Sequence, residues 1–253
     1  MNKIIIIVII FYIYYYYKII YKSNIQKITN IQNNKFKHTK KKTIKKITEG
    51  MMLVHDIFTK HNIFYQIAYG SLLGSIRHKK IIPWDDDADL HIYLKDIDKI
   101  MNLKQEFNKK GWTLEKNWKL LKVKQLDKNC NILEEVFIDL FIINIGKNDI
   151  IHRCLTSTQD FCKQMPINHK WWHKWYNFPK KLISGRKLYR FYDKSIGYDF
   201  MMYGPKNGKE ILKFWYGNDC LKICQSPIYA HDTGKYIKSI KKPCHELNKK
   251  FNI

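Results

Sequence analysis

The first 47 residues contain no aspartate or glutamate, while eleven of the chain's 46 Lys+Arg fall there. The formal charge of +24 (46 basic against 22 acidic residues) is therefore uneven, and residues 48–253 hold only +13 of it. That distribution argues against a uniformly basic nucleic-acid binder. Cysteine is also sparse: Cys130, Cys154, Cys162, Cys220, Cys224 and Cys244 are too few and too scattered for a disulfide-dense secreted mini-domain. The first alanine is Ala68, so the small residues of a signal-peptide cleavage site are missing from the N-terminal region. No Asn-x-Ser/Thr sequon occurs in this Asn-rich chain, and no internal repeat is visible. At 45% hydrophobic and 27% charged residues, wholesale disorder is excluded. The length of 253 residues suits one ordinary domain or at most two small ones.

What the N-terminus does have is an apolar run. Ile4 to Tyr21, interrupted only by Lys18, would span about 27 Å as a helix. The tyrosines at 12 and 14–17 suit a membrane–water interface, and Lys18 can snorkel. The expectation is a single-pass membrane anchor over 1–22, with a buried β-strand as the rival reading. A basic stem follows over 23–47, then a catalytic domain over 48–253. Lysines after the span and the absence of sequons favour a cytoplasmic catalytic side.

Within the body, Ile47, Met51, Val54, Ile57 and Phe58 recur at helical spacing, predicting an amphipathic helix over 47–61. Phe64–Tyr69 reads as a strand, with a short helix from Gly70-Ser71 in which Ser71 is the expected cap. Ala88–Leu94 reads as a second strand, followed by a helix from Asp96 to about Lys110. Glu135–Ile143 is the clearest buried strand, and helices are expected near 186–194 and 206–215. Strands mixed with helices predict an α+β domain with a mixed sheet flanked by helices.

Asp85-Asp86-Asp87-Ala88-Asp89 is the most informative stretch. Four carboxylates in five residues repel one another, and folding alone does not ask for them. With strand periodicity, Asp85, Asp87 and Asp89 would share one face and Asp86 the other. Such a hard-oxygen group suits Mg2+ or Mn2+, which clamps phosphate oxygens. An acidic turn in solvent is the bland reading. An EF-hand loop from Asp85 lacks the required glycine, because its sixth position is Leu90. A DxD-type sugar-nucleotide transferase stays open as a fold alternative. Asp139, inside Val136-Phe137-Ile138-Asp139-Leu140-Phe141-Ile142, is costly to bury unless paired or metal-bound, and would complete a three-carboxylate site.

One short loop before the acidic cluster lies Tyr69-Gly70-Ser71-Leu72-Leu73-Gly74-Ser75-Ile76-Arg77-His78. Glycine and serine at a strand-to-helix turn leave backbone N–H groups free to cradle a phosphate, and Arg77 adds charge. The stretch YGSLLGSIRHKKIIPWDDDADLHIYL resembles the LicD/fukutin family of phosphotransferases, and more distantly the nucleotidyltransferase-fold superfamily. Ile138-Asp139-Leu140-Phe141, Asn177-Phe178-Pro179, Tyr203-Gly204-Pro205-Lys206 and Tyr216-Gly217 resemble looser, later motifs of that family.

The resemblance implies a nucleotidyltransferase-like fold and transfer of phosphocholine, ribitol phosphate or a similar group from a CDP-linked alcohol donor to a glycan acceptor. It implies Asp87, Asp89 and Asp139 as catalytic residues, Asp85, Asp87 and Asp89 as ligands of Mg2+ or Mn2+, and Gly70, Ser71 and Arg77 on the nucleotide side. It also implies a secretory-pathway (ER/Golgi) membrane location, against the orientation read from charge. Nucleic acid is not an expected partner, although a nucleotidyltransferase acting on nucleic acid or a small acceptor is the alternative. One departure concerns zinc: a fukutin-related relative carries it on cysteines upstream of the acidic motif, where this chain has none. Cys154, Cys162, His169 and His173, or Cys220 with Cys224, are alternative zinc ligands, and unconnected side chains are the plain reading.

Overall fold

The computed structural model describes residues 14–20, 22, 36–116, 120–146, 149–153, 173–227, 229–230, 235–236 and 238–251. Two compact units divide the chain. One comprises Met1–Lys37 with Gln225–Lys242, the other His38–Cys224 with Pro243–Ile253.

In the smaller unit, residues 14–20 are helical, and Tyr229–Ala230 pairs antiparallel with Lys235–Tyr236. The Ser226 N–H donates to Ile240 O, and the Ile240 N–H returns to Ser226 Oγ. The expected membrane-spanning helix is overturned here. Among the described residues no helix is long and apolar enough to cross a membrane. The described helical residues 14–20 rise about 10 Å, against a hydrocarbon core of about 30 Å. Ile4–Ile13 and Tyr21 lie outside the described residues, as do residues 23–35 of the expected stem.

The larger unit is built on a seven-stranded mixed sheet, so the α+β expectation holds for this part of the chain. The first helix, α1 (Lys41–Lys60), starts at Lys41 rather than near Ile47 and buries Ile47, Met51, Val54, Ile57 and Phe58 on one stripe. Gly50 lets it approach the sheet closely: a Cβ there would lie 2.7 Å from Trp112 Cη2. Next come β1 (Tyr65–Ile67), α2 (Tyr69–Arg77) and β2 (Ala88–Tyr93). The helix expected from Asp96 is instead broken. Leu94–Asp96 forms a 3-10 turn, and α3 (Ile97–Met101) and α4 (Lys104–Asn108) are separated by Asn102 and Leu103.

Strands β3 (Trp112–Lys116), β4 (Leu121–Leu126), β5 (Ile132–Ile145), β6 (Ile150–Arg153) and β7 (Asn177–Pro179) complete the sheet, with α5 (His173–Tyr176) just before β7. The strand order is β1-β2-β5-β4-β3, with β6 joining β5 to β7. Among the described residues of this sheet, β2–β5 is the one parallel pair and the other pairings are antiparallel. β5 is central. Its Val136, Ile138, Leu140, Ile142 and Ile143 are fully buried, as a near-continuous apolar run with both faces covered should be.

The helix expected near 186–194 is a strand. β8 (Arg186–Asp193) pairs antiparallel with β9 (Tyr198–Pro205), and Tyr189 and Phe191 turn inward at strand spacing. The expected helix near 206–215 is present as α6 (Gly208–Tyr216). Cys224 and Cys244 form a disulfide that ties the chain before residue 225 to α7 (Cys244–Phe251).

Candidate active site

The site grows from three adjoining pieces of backbone: the start of α2, the turn before β2, and the middle of β5. α2 begins immediately after Ala68, whose N–H donates to Asp89 O at 2.9 Å. Tyr69 is held in the left-handed region at φ 39°, a conformation a bulky residue adopts only when its surroundings enforce it. Its hydroxyl donates to Trp175 O, and its ring packs against His91, Phe141, Trp175 and Trp215.

Ser71 is not the cap. It lies inside α2, and its Oγ accepts the Asp89 N–H at 2.9 Å. The Gly70 N–H donates to Asp89 Oδ2 at 3.3 Å. The Gly-Ser turn and Asp89 are thus tied twice, and in this structure the Gly70 donor orients a carboxylate.

The alternation expected for the acidic run does not occur, because β2 starts only at Ala88. Of the four aspartates, Asp89 alone lies on the strand, and Asp85, Asp86 and Asp87 occupy the turn before it. The turn gathers rather than alternates. Asp85, Asp86 and Asp87 each bring an oxygen within 4.8 Å of the others, and so do Asp87, Asp89 and Asp139. Asp86 therefore belongs to the cluster instead of facing away. Asp85 Oδ2 also lies over the turn glycine, 2.6 Å from where a Gly70 Cβ would stand.

Asp139 comes from β5, where it is the register partner of Asp89. Its Oδ1 pairs with Lys122 Nζ at 2.8 Å, and Lys122 is its register partner on β4. The same ammonium stands 3.6 Å from the centroid of the Phe137 ring. Burial first, then the charges of Asp89, Asp85, Asp139 and Asp86, push the Asp87 carboxyl well above its usual range. Tyr216 stands at the same centre. Burial and the neighbouring Asp89 and Asp85 raise its phenol well above the ordinary value.

Arg77 lies at the other end of α2. Its Nη1 donates to Cys220 O at 2.9 Å and Ile223 O at 3.1 Å, and its Nε donates to His78 Nε2. Burial lowers its pKa to about 10, opposed by Tyr216, Cys220 and Asp85. These donors hold the 220–223 segment. Of the zinc alternatives, Cys224 is committed to its disulfide; Cys154, Cys162 and His169 lie outside the described residues, as does the His173 side chain.

The donor set consists of carboxylate oxygens, which suits a hard divalent ion. Two overlapping triplets share Asp87, whose charged form burial and then its acidic neighbours disfavour, and a cation would relieve that crowding. The group fits Mg2+ or Mn2+. Lys122 had no local signal in the sequence, because its place depends on the β4–β5 register. Tyr216 could be found through the Tyr216-Gly217 motif.

The profile of the family described as "LicD/FKTN/FKRP, nucleotidyltransferase domain" matches residues 62–197. The chain belongs to this family, which includes phospho-alcohol transferases. The uncharacterized protein RP689 of Rickettsia prowazekii is 31% identical over 121 residues, covering 48% of this chain and 41% of that protein. Lipopolysaccharide cholinephosphotransferase LicD of Haemophilus influenzae is 35% identical over 49 residues, covering 19% of this chain and 18% of that protein. Human ribitol 5-phosphate transferase FKRP is 41% identical over 54 residues, 21% of this chain and 11% of that protein. The chain spans less than half the length of these relatives.

Proposed function

We propose that this chain transfers a phospho-alcohol from a CDP-linked donor to a glycan hydroxyl. The observation that carries the reading is the pair of carboxylate triplets sharing Asp87, set against the Gly70-Ser71 turn. Family membership and the printed activities of LicD and FKRP support the reaction class. Asp85, Asp87 and Asp89, with Asp139 beside them, would hold Mg2+ or Mn2+. When bound, such an ion neutralises charge on the donor's pyrophosphate.

The chain's own groups supply the rest. Gly70 and Ser71 fix the aim of Asp89, and Lys122 balances Asp139. The acceptor oxygen forms a bond to the phosphorus bearing the alcohol as the bond to the bridging pyrophosphate oxygen breaks, releasing CMP. The acceptor proton passes to a carboxylate, a role assigned to Asp139. Arg77 acts from behind by holding the 220–223 segment beside α2.

The test is CMP release from CDP-choline and from CDP-ribitol, with Mn2+ and a glycan acceptor. The competing assay is nucleotide incorporation into RNA from CTP. Acceptor-dependent CMP release abolished by Asp89→Asn supports the reading. Incorporation into RNA without CMP release from either donor overturns it.

A further inference from the structure

A cleft of different chemistry from the carboxylate cluster lies in the same unit. A cavity of about 720 Å3 is bounded by the start of α1, the loop after α2 and the turn between β8 and β9. That volume is in the range that holds a small molecule. Its lining carries Lys40, Lys41, Lys79, Lys80 and Lys194, and among the described lining residues Asp193 is the one carboxylate. None of Asp85, Asp86, Asp87, Asp89 or Asp139 lines it.

Independent features add to the positive field. α1 starts here with Lys40 at its N-cap, no side-chain cap and no acidic residue in its first turn, so its orphan N–H groups keep their positive end. The buried His78 stands at the cavity wall, and its pKa falls to about 3, first through burial and then through the charges of Arg77 and Lys80. Lys79 is held in the left-handed region at φ 60°, with its carbonyl accepting the Tyr192 N–H at 2.7 Å. A strained backbone at a cavity wall is kept only when its surroundings enforce it.

The remaining lining mixes the polar His38, Thr39, His78 and Ser195 with apolar side chains. Ile44, Ile81, Pro83 and Phe251 form one side, and Tyr192, 46% exposed, offers a ring face beside them. Like charges focused in a cleft with low-dielectric walls concentrate a counter-ion, and an aromatic face beside them accommodates the C–H face of a ring.

We infer that this cavity binds a phosphorylated sugar, its phosphate on the lysines at the start of α1, on the loop after α2 and on the β8–β9 turn, its ring against Tyr192. Nothing in this inference uses the transfer reaction, so it stands or falls separately from the proposed function.

The test is calorimetric titration of the full chain with glucose 6-phosphate, glucose, inorganic phosphate and adenosine monophosphate, at constant ionic strength and with EDTA present. Glucose 6-phosphate is expected to bind saturably and at least tenfold tighter than inorganic phosphate, with no heat from glucose. The double variant Lys79→Gln/Lys194→Gln, on two exposed positions, should weaken binding at least tenfold with an unchanged melting temperature. Asp89→Asn should bind as wild type does. Equal affinity for inorganic phosphate, or tighter binding of adenosine monophosphate, overturns the sugar-phosphate assignment. Full affinity in the double variant, or loss of binding in Asp89→Asn, overturns the location.

Discussion

Asp89 and Asp139 are register partners across the parallel β2–β5 pair, and Lys122 extends the same row on β4. Register partners share a sheet face, so two carboxylates and one ammonium line up across three strands. Lys122 pairs with this central carboxylate, its Nζ 2.8 Å from Asp139 Oδ1. Lys122→Met should destabilise the metal-free protein by on the order of 3 kcal/mol, since it removes the cation paired with a largely buried carboxylate. Lys122→Met combined with Asp139→Asn should recover most of that loss. Urea unfolding of the four proteins of this cycle measures the coupling, and additive losses would show that the pair is not coupled.

The crowding around Asp87 gives a prediction for metal. Without metal, Asp87→Asn removes a carboxyl whose charged form burial and the neighbouring aspartates disfavour, so its melting temperature should equal or exceed that of wild type. Wild type should gain from Mn2+ by mass action, about 2.7 kcal/mol at a hundredfold excess over Kd, and Asp87→Asn should gain less. Because Asp86 sits with Asp85 and Asp87, Asp86→Asn should also gain less than wild type. Thermal melts with and without Mn2+ check this, and equal gains in all variants would place the ion elsewhere.

The acidic run, the Gly-Ser turn and β5 are legible in the sequence because each is local: a charge density that folding does not need, a strand-to-helix break, and an apolar run interrupted only by Asp139. The face shared by Asp85, Asp87 and Asp89 was misread because strand alternation applies only where there is strand, and β2 begins at Ala88. β8 was misread because aromatics occupy both its faces. Tyr189 and Phe191 are buried, but Tyr192 is 46% exposed, which blurs the period of two. The ammonium of Lys122 was invisible because a register between distant strands, with an irregularity between Lys124 and Gln125, decides where it lies.

His78 gives a pH dependence whose sign follows from its burial. Its pKa falls from the ordinary 6.5 to about 3 in the folded protein, so the fold favours the neutral ring. That contribution is fully present above pH 6.5 and is lost as pH falls toward 3. The loss is about 1.4 kcal/mol per pH unit at most. His78→Gln cannot titrate, so its stability should fall less steeply than wild type between pH 6 and 4. Chemical denaturation across that range reads the difference, and parallel curves would show that His78 takes up no proton on unfolding.

Gly70 tests how the turn serves the site. A Cβ there would stand 2.6 Å from Asp85 Oδ2 and 3.5 Å from Asp89 Oδ2, so the clash falls on side chains rather than on backbone. Asp85 lies in the turn before β2 and can swing away without disturbing the sheet. Gly70→Val should therefore leave the metal-free melting temperature within a few degrees of wild type. The displaced carboxylate should cost the Mn2+-dependent rise in melting temperature and lower phospho-alcohol transfer at least tenfold, equivalent to about 1.4 kcal/mol. Gly70→Ala, with a smaller intrusion at the same point, should fall between the two. If Gly70→Val loses the fold and the Mn2+ response together, the glycine serves the turn itself and not the placing of Asp85.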